Sequence, residues 1–213
     1  MILLKSTIIS EFDAGNICID PFTIDNVGPN SVDVTLNHTL QVYTAKKHAK
    51  LSFKQKLVRL LAPELFLASG VELDVRKNNP TTLIRIPGCG LLLQPGRVYL
   101  GSTNETASSN KYVPMYDGRS SMGRLGISSH ITAGFGDVGF AYTENGTVST
   151  RAKWTLEITV VHPTWIYRNM RIGQVFFMTP DHEPRSNELY AGKYSSQQNA
   201  QASMSFLDRE WQH

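Results

Sequence analysis

Two short stretches of the chain carry residue types that can do chemistry. Asp117-Gly-Arg-Ser-Ser-Met-Gly-Arg-Leu-Gly126 gathers two guanidiniums, Arg119 and Arg124, with the hydroxyls of Ser120 and Ser121. Guanidiniums are fork-shaped donors for phosphate oxygens, and hydroxyls and turn N–H groups add neutral donors. Gly118 and Gly123 would let the backbone come close to an anion. The alternative is a surface turn capping an ordinary helix. The string is not a P-loop, because the Gly-Lys-Ser/Thr ending is missing. The second stretch is Trp154-Thr-Leu-Glu-Ile-Thr-Val-Val161. Alternation puts Trp154, Leu156 and Ile158 on one face and Thr155, Glu157 and Thr159 on the other. Glu157 reads either as an outward, solvated strand residue or as a proton-transfer group. The first is the usual case for a strand glutamate; apolar neighbours and threonine flanks that could hydrogen-bond a water lift the second, since a partly desolvated carboxylate has a raised pKa and moves protons near neutrality. Together the stretches read as a nucleoside triphosphate site with one acid/base residue.

Two further segments can complete such a site. Ala133-Gly-Phe-Gly-Asp137-Val-Gly139 is dense in glycine. It can wall a pocket for a flat ring, with Asp137 on a sugar hydroxyl, or form a turn in which Asp137 satisfies its own backbone. Lys193, Tyr194, Gln197 and Gln198 are a donor-rich set that can close over phosphates or belong to a frayed terminus. Zinc chemistry has no support: the pattern H-x-E…P-C-x-x-C is missing, Cys18 and Cys89 are far apart, and His130 and His162 lack ligand spacing. Serine-nucleophile chemistry lacks its G-x-S-x-G elbow.

These segments need a scaffold, and the rest of the chain predicts a mainly β one. Its 213 residues suit one domain over 1–213. Hydrophobic content of 41% and charge of 18% are ordinary for a globular protein, and a net charge of +3 without a block of Lys and Arg argues against nucleic acid. Lys46, Lys47, Lys50, Lys54, Lys56 and Arg59 read as solvated surface. Two cysteines, no signal-peptide pattern and no stretch of membrane-span length predict a cytoplasmic protein. A short helix opens the chain, with Ser6 as N-cap, Ile8, Ile9 and Phe12 on one face and Gly15 as stop. Ser31–Leu36 alternates as a half-buried strand with Asp33 facing away from Val32 and Val34. Residues 54–69 read as a short helix or an irregular insertion, interrupted by Pro63. From residue 82 on, strands are predicted at 83–86, 90–93, 97–100, 155–161 and 174–178. Pro87-Gly88, Pro95-Gly96, Asn145-Gly146 and His162-Pro163 punctuate them. Many short strands imply a sandwich or barrel.

The motifs resemble, in order, those of the deoxycytidine triphosphate deaminases of the trimeric dUTPase-like superfamily. Pro29–Leu36 is similar to the strand P-x-S-V-D-x-x-L. Leu93-Gln-Pro-Gly-Arg-Val-Tyr-Leu100 with Thr103 and Glu105 is similar to L-x-P-G…L-x-x-T-x-E. Asp117–Gly126 resembles G-R-S-S-x-x-R-L-G, His130 through Phe140 the substrate loop, and Thr155-Leu-Glu157 the catalytic strand. Gly192-Lys-Tyr194 with Gln197 resembles the C-terminal flap.

The resemblance implies a distorted β-barrel of dUTPase-like β-clip or jelly-roll type, with minor helical insertions, in a homotrimer with shared active sites. It implies metal-free deamination of dCTP to dUTP and ammonia, with Mg²⁺ carried by the triphosphate and dTTP a possible inhibitor. Glu157 would be general base and acid, with Ser120 and Arg124 orienting water and stabilising charge. Arg119, Ser120, Ser121, Met122, Gly123 and Arg124 would form the phosphate turn. Asp137 would meet the deoxyribose, Thr155 and Leu156 would contact the base through backbone or side chain, and Ala133 would also bind substrate. Lys193 and Gln197, in a 191–213 flap, and Tyr190 just before it would close over the triphosphate. Two features depart from the pattern. His130 and Thr132 resemble single-activity deaminases, whereas Gly134 and Phe135 resemble bifunctional members that release dUMP and pyrophosphate. Residues 141–153 form a longer connection, read as a hairpin insertion with its tip at Asn145-Gly146. The expected activity is the dUTP-forming one; the alternatives are the bifunctional enzyme, a plain dUTPase and a non-catalytic nucleotide-binding regulator.

Overall fold

The computed structural model describes residues 1–44, 71–141, 152–195 and 197–211. The expectations for 54–69, for the basic residues between 46 and 59 and for the Asn145-Gly146 tip fall outside these.

The chain opens on helix α1, Lys5–Asp13. Ile8 is buried, and Ile9 and Phe12 pack against the core beside it, as the spacing predicted. The N-cap is Leu4, not Ser6, and its side chain makes no capping bond. The Pro29 carbonyl instead accepts the Lys5 N–H at 2.8 Å, so tertiary contact satisfies a helix-end donor. Gly15 stops the helix in the left-handed conformation, φ +77°.

Twelve strands follow among the described residues: β1 Ile17–Asp20, β2 Val32–Thr35, β3 Thr39–Tyr43, β4 Thr81–Arg85, β5 Leu91–Leu93, β6 Tyr99–Ser102, β7 Thr106–Ser109, β8 Val113–Gly118, β9 Ile127–His130, β10 Thr155–Val160, β11 Thr164–Ile166 and β12 Arg171–Met178. A single helical turn, α2, covers Ser120–Arg124 between β8 and β9. Every strand pairing is antiparallel. The main sheet runs β4-β3-β6-β10-β9, a second runs β2-β12-β8, and β1-β7 and β11-β5 are two-stranded. Val32, Val34, Leu36, Leu156, Ile158, Ile172 and Phe177 are fully buried in the core between them. Among the described residues no helix is long and apolar enough to cross a membrane.

The main sheet sets up the site. On β10, Leu156 and Ile158 are buried while Thr155, Glu157 and Thr159 are half-buried on the other face, as alternation requires. Register places His130, Glu157, Leu100, Gln41 and Leu83 in one row across β9, β10, β6, β3 and β4. Gly101, next to Leu100, is where a side chain would not fit: a Cβ there would come within 2.9 Å of Ile158 Cδ1.

The tail is packed over this sheet rather than frayed. Gln41 Nε2 donates to the Ala200 carbonyl at 2.6 Å, and the Gln201 and Ser203 N–H groups donate to Thr155 Oγ1 and the Tyr43 hydroxyl at 2.8 and 3.0 Å. Its own ends are tied by an ion pair between Lys193 and Asp208.

Candidate active site

A cavity of about 760 Å³ opens over the outer face of β10, within the usual size range of small-molecule sites. Glu157, Thr155, Ala133, Asp137, Tyr190 and Gln197, all expected in the site, line it. Glu157 is half-buried, and its Oε2 accepts two hydrogen bonds from Thr132, one from the backbone N–H at 2.9 Å and one from the hydroxyl at 3.2 Å. The carboxylate is therefore a fixed group on a cavity wall. Thr132 was legible only as part of a motif. Its role follows from β9 lying beside β10, which carries the chain just past His130 to the Glu157 head group.

The glycine-dense loop after β9 walls the cavity, and Asp137 stands exposed on it. Gly136 presses against Trp154: a Cβ there would lie 2.8 Å from Trp154 Cζ2 and 3.1 Å from Pro114 Cγ. Trp154, absent from the expected site, is buried at this wall, its indole Nε1 without a hydrogen-bond partner among the described residues. Tyr190 joins loop to flap. Its N–H donates to the Val138 carbonyl at 2.8 Å, its ring meets Phe140 edge-on at 5.5 Å, and its hydroxyl accepts the Tyr194 N–H at 3.2 Å. Gly192 lies against that ring, where a Cβ would come within 2.4 Å of the phenol carbon and oxygen.

Several expected residues make contacts other than those expected, and some lie away from the cavity. Leu156 is fully buried, so its side chain faces the core and only its backbone is near the cavity wall. Thr155 Oγ1, expected near a base or a water, takes the tail's Gln201 N–H. Gln197 is clasped to β10's approach: its Nε2 donates to the Lys153 carbonyl at 2.6 Å, and its carbonyl accepts the Lys153 N–H at 2.8 Å. Lys193 lines a smaller hollow of about 360 Å³ with Gln197 and Gln198, and Asp208 holds its ammonium protonated above the usual lysine range.

The arginine turn does not border the cavity within one chain. Ser120, Ser121, Gly123 and Arg124 are exposed on α2, and Arg119 and Met122 are half-buried. Gly118 answers a packing need rather than an anion: a Cβ there would lie 3.0 Å from the Ser129 carbonyl oxygen. Arg119 is oriented by Asp33, the outward residue of β2, with Nε 3.1 Å from Oδ1. Arg171 Nη1 lies 3.5 Å from the other carboxylate oxygen and its Nη2 donates to Asn26 Oδ1 at 3.0 Å, placing a third guanidinium, unforeseen from sequence, beside the turn. Among the described residues no three His, Cys, Asp or Glu side chains gather as a metal site.

Residues 2–179 match the family model described as dCTP deaminase-like. The chain is 38% identical over 212 residues to a protein named dCTP deaminase, dUMP-forming, from Clostridium beijerinckii, covering 99% of both. A protein of the same name from Leptospira biflexa is 37% identical over 210 residues, again with 99% of each covered. One from Cytophaga hutchinsonii is 35% identical, with 98% of this chain and 99% of that one covered. In three dimensions the chain matches a crystal structure of 2'-deoxycytidine 5'-triphosphate deaminase from Agrobacterium tumefaciens with a TM-score of 0.53 and 19% identity, covering 84% of this chain and 48% of that longer one. At that identity the likeness bears on the fold, and it agrees with the mainly β, dUTPase-like architecture expected from the sequence. With the family model spanning most of its length and relatives aligned almost end to end, the chain belongs to the dCTP deaminase-like family of enzymes.

Proposed function

We propose that the protein hydrolyses dCTP to dUMP, pyrophosphate and ammonia, the bifunctional course rather than the dUTP-forming one expected first. The relatives' dUMP-forming names favour it, as do Gly134 and Phe135 in the substrate loop. The observation that carries the chemistry is the Glu157 carboxylate fixed by Thr132 on the cavity wall.

Glu157 takes a proton from a water that attacks C4 of the base, then delivers protons to N3 and to the departing amine. Holding the carboxylate by one oxygen fixes its direction before the reaction, which avoids reorganisation in the transition state. Ala133 and the backbone around Thr155 and Leu156 border the base, Asp137 meets the deoxyribose, and Tyr190 closes over the sugar. Lys193 and Gln197 approach the phosphates from the flap. A second water opens the bond between the α and β phosphates, where guanidiniums offset the charge that develops.

The Arg119–Arg124 turn reaches a cavity from a neighbouring copy, so the working unit is a homotrimer with shared sites. Ser120 and Arg124 then orient water and stabilise charge beside the neighbour's Glu157. The side chains facing the phosphates are guanidiniums, an ammonium, hydroxyls and an amide, a donor set for oxyanions and a poor one for a cation. Mg²⁺ would take its ligands from the triphosphate and water. dTTP, with the same sugar and phosphates, would compete for the site, and free Cys18 and Cys89 suit a cytoplasmic setting.

Incubation of the protein with dCTP and Mg²⁺, with products resolved by chromatography, tests this. Ammonia with dUMP and pyrophosphate is the expected result. Ammonia with dUTP would return the single-activity reading. Turnover of dUTP alone, or binding without turnover, would support a plain dUTPase or a regulator.

A further inference from the structure

Glu157 has unlike neighbours on its two sides. Toward β9 it faces His130, and the chain beyond brings Thr132, Ala133 and Asp137 to the cavity. Toward β6 it faces Leu100, and directly opposed residues of an antiparallel pair hold their Cβ atoms about 5 Å apart. Leu100 therefore stands against the carboxyl. Val98, two residues back on the same face and 42% exposed, continues the wall, and Leu73, 50% exposed, extends it. Tyr43 adds its ring, with its hydroxyl taken by the Ser203 N–H. The exposed Arg97 adjoins Val98. Leu100, Val98, Leu73 and Tyr43 are all distinct from the residues assigned above to sugar or phosphates, and they form an apolar lobe of the wall.

On the deaminase reading, the base amine must touch Glu157, because Glu157 hands it a proton. A group attached to the amine nitrogen on the side away from Thr132 then meets Leu100 and Val98. Resting on that reading, we infer that the enzyme also acts on deoxycytidine triphosphates whose 4-amino nitrogen carries a small alkyl group, releasing an alkylamine in place of ammonia. With a methyl group, the water oxygen bonds to C4 and the C4–N bond breaks. One proton of the water ends on N3 and the other on the departing methylamine, both through Glu157. Nothing is oxidised or reduced, and the uracil nucleotide formed is the one dCTP gives.

The test offers the full chain N4-methyl-dCTP and dCTP in parallel with Mg²⁺ and quantifies methylamine and ammonia. A kcat/KM for the methylated nucleotide within about tenfold of that for dCTP is expected, the low end of the effect of one methyl group in an apolar pocket, because Leu100 and Val98 leave apolar room for it. Val98→Trp fills the lobe and lowers turnover of N4-methyl-dCTP at least about tenfold more than that of dCTP. Leu73→Trp gives the same split should Val98→Trp not fold. A methylated substrate worse by more than this, or an equal loss on both substrates in the variants, overturns the inference while leaving the deaminase reading intact. Absence of turnover of dCTP itself overturns the reading beneath and this inference with it.

Discussion

Thr132 gives two hydrogen bonds to one oxygen of Glu157, from its N–H at 2.9 Å and from its hydroxyl at 3.2 Å. A hydrogen bond to a charged group contributes about 1.5–3 kcal/mol, and about 1.4 kcal/mol is tenfold in rate. Thr132→Val keeps the N–H bond and the side-chain volume but removes the hydroxyl. It should lower kcat for deamination by about tenfold or more with little change in KM. Glu157→Gln should abolish ammonia release while nucleotide binding, measured by calorimetry, persists. Loss of folding or assembly in that variant would mark Glu157 as structural instead.

The distance between the arginine turn and the Glu157 cavity within one chain has its own consequence. Glu157→Gln and Arg124→Ala should each be inactive alone. Unfolded together and refolded as mixed assemblies, they should, on the proposed shared-site reading, recover about a quarter of wild-type activity, because a site drawing one half from each of two copies is intact in that share of random pairings. Mixed assemblies that stay inactive would mean that each chain builds its own site.

Gly136 lies where the cavity wall has no room. Its Cβ would be 2.8 Å from Trp154 Cζ2 and 3.1 Å from Pro114 Cγ. Both neighbours are held: Trp154 is buried and the Pro114 carbonyl accepts the Gly136 N–H at 2.7 Å. Gly136→Ala should therefore displace the Asp137 loop, costing about 1–3 kcal/mol of stability. Thermal melting should report that loss, and steady-state kinetics should show a raised KM for dCTP.

Much of this was legible in the sequence where a segment's burial follows its own pattern. Val32-Asp-Val and Leu156-Glu-Ile alternate because one face of each strand meets the core, and α1 buries Ile8 at helical spacing. Segments whose partners are distant in sequence were not legible. Thr106-Ala-Ser-Ser109 has no apolar alternation, yet every residue of it is buried, paired along β1 with the Ser109 hydroxyl donating to the Asn16 carbonyl at 2.6 Å. Ile127-Ser-Ser-His130 is likewise mostly polar, with Ser129 satisfied by the Tyr116 hydroxyl at 2.7 Å. The same limit hid the contacts of Thr132 and Trp154, which depend on β9 lying beside β10 and on the fit of Gly136. Composition made the tail look loose because its order comes from scattered hydrogen bonds to Gln41, Tyr43, Lys153 and Thr155 rather than from apolar periodicity.

Gln197 is bound both ways to Lys153, so it can be separated from any role at phosphates. Gln197→Ala keeps the backbone bond and loses the amide one. Limited proteolysis should then cut the tail faster, and added dCTP should protect it less than it protects the wild type. Unchanged cleavage with a raised KM would assign Gln197 to the nucleotide alone.

Tyr116 predicts the alkaline limit of the fold. Burial pushes its phenol well above the usual tyrosine range, against a smaller opposing effect of the Ser129 hydrogen bond. The folded state therefore keeps the proton over a range in which the unfolded chain has lost it. That stabilisation is complete below the ordinary tyrosine pKa of about 10 and is lost as pH rises through the folded-state value. Denaturant midpoints should fall with pH above about 10 in the wild type and fall less steeply in Tyr116→Phe. At neutral pH that variant should cost only about 1 kcal/mol, for the Ser129 hydroxyl left without its partner. Parallel pH profiles for the two proteins would mean that the alkaline transition belongs to another group.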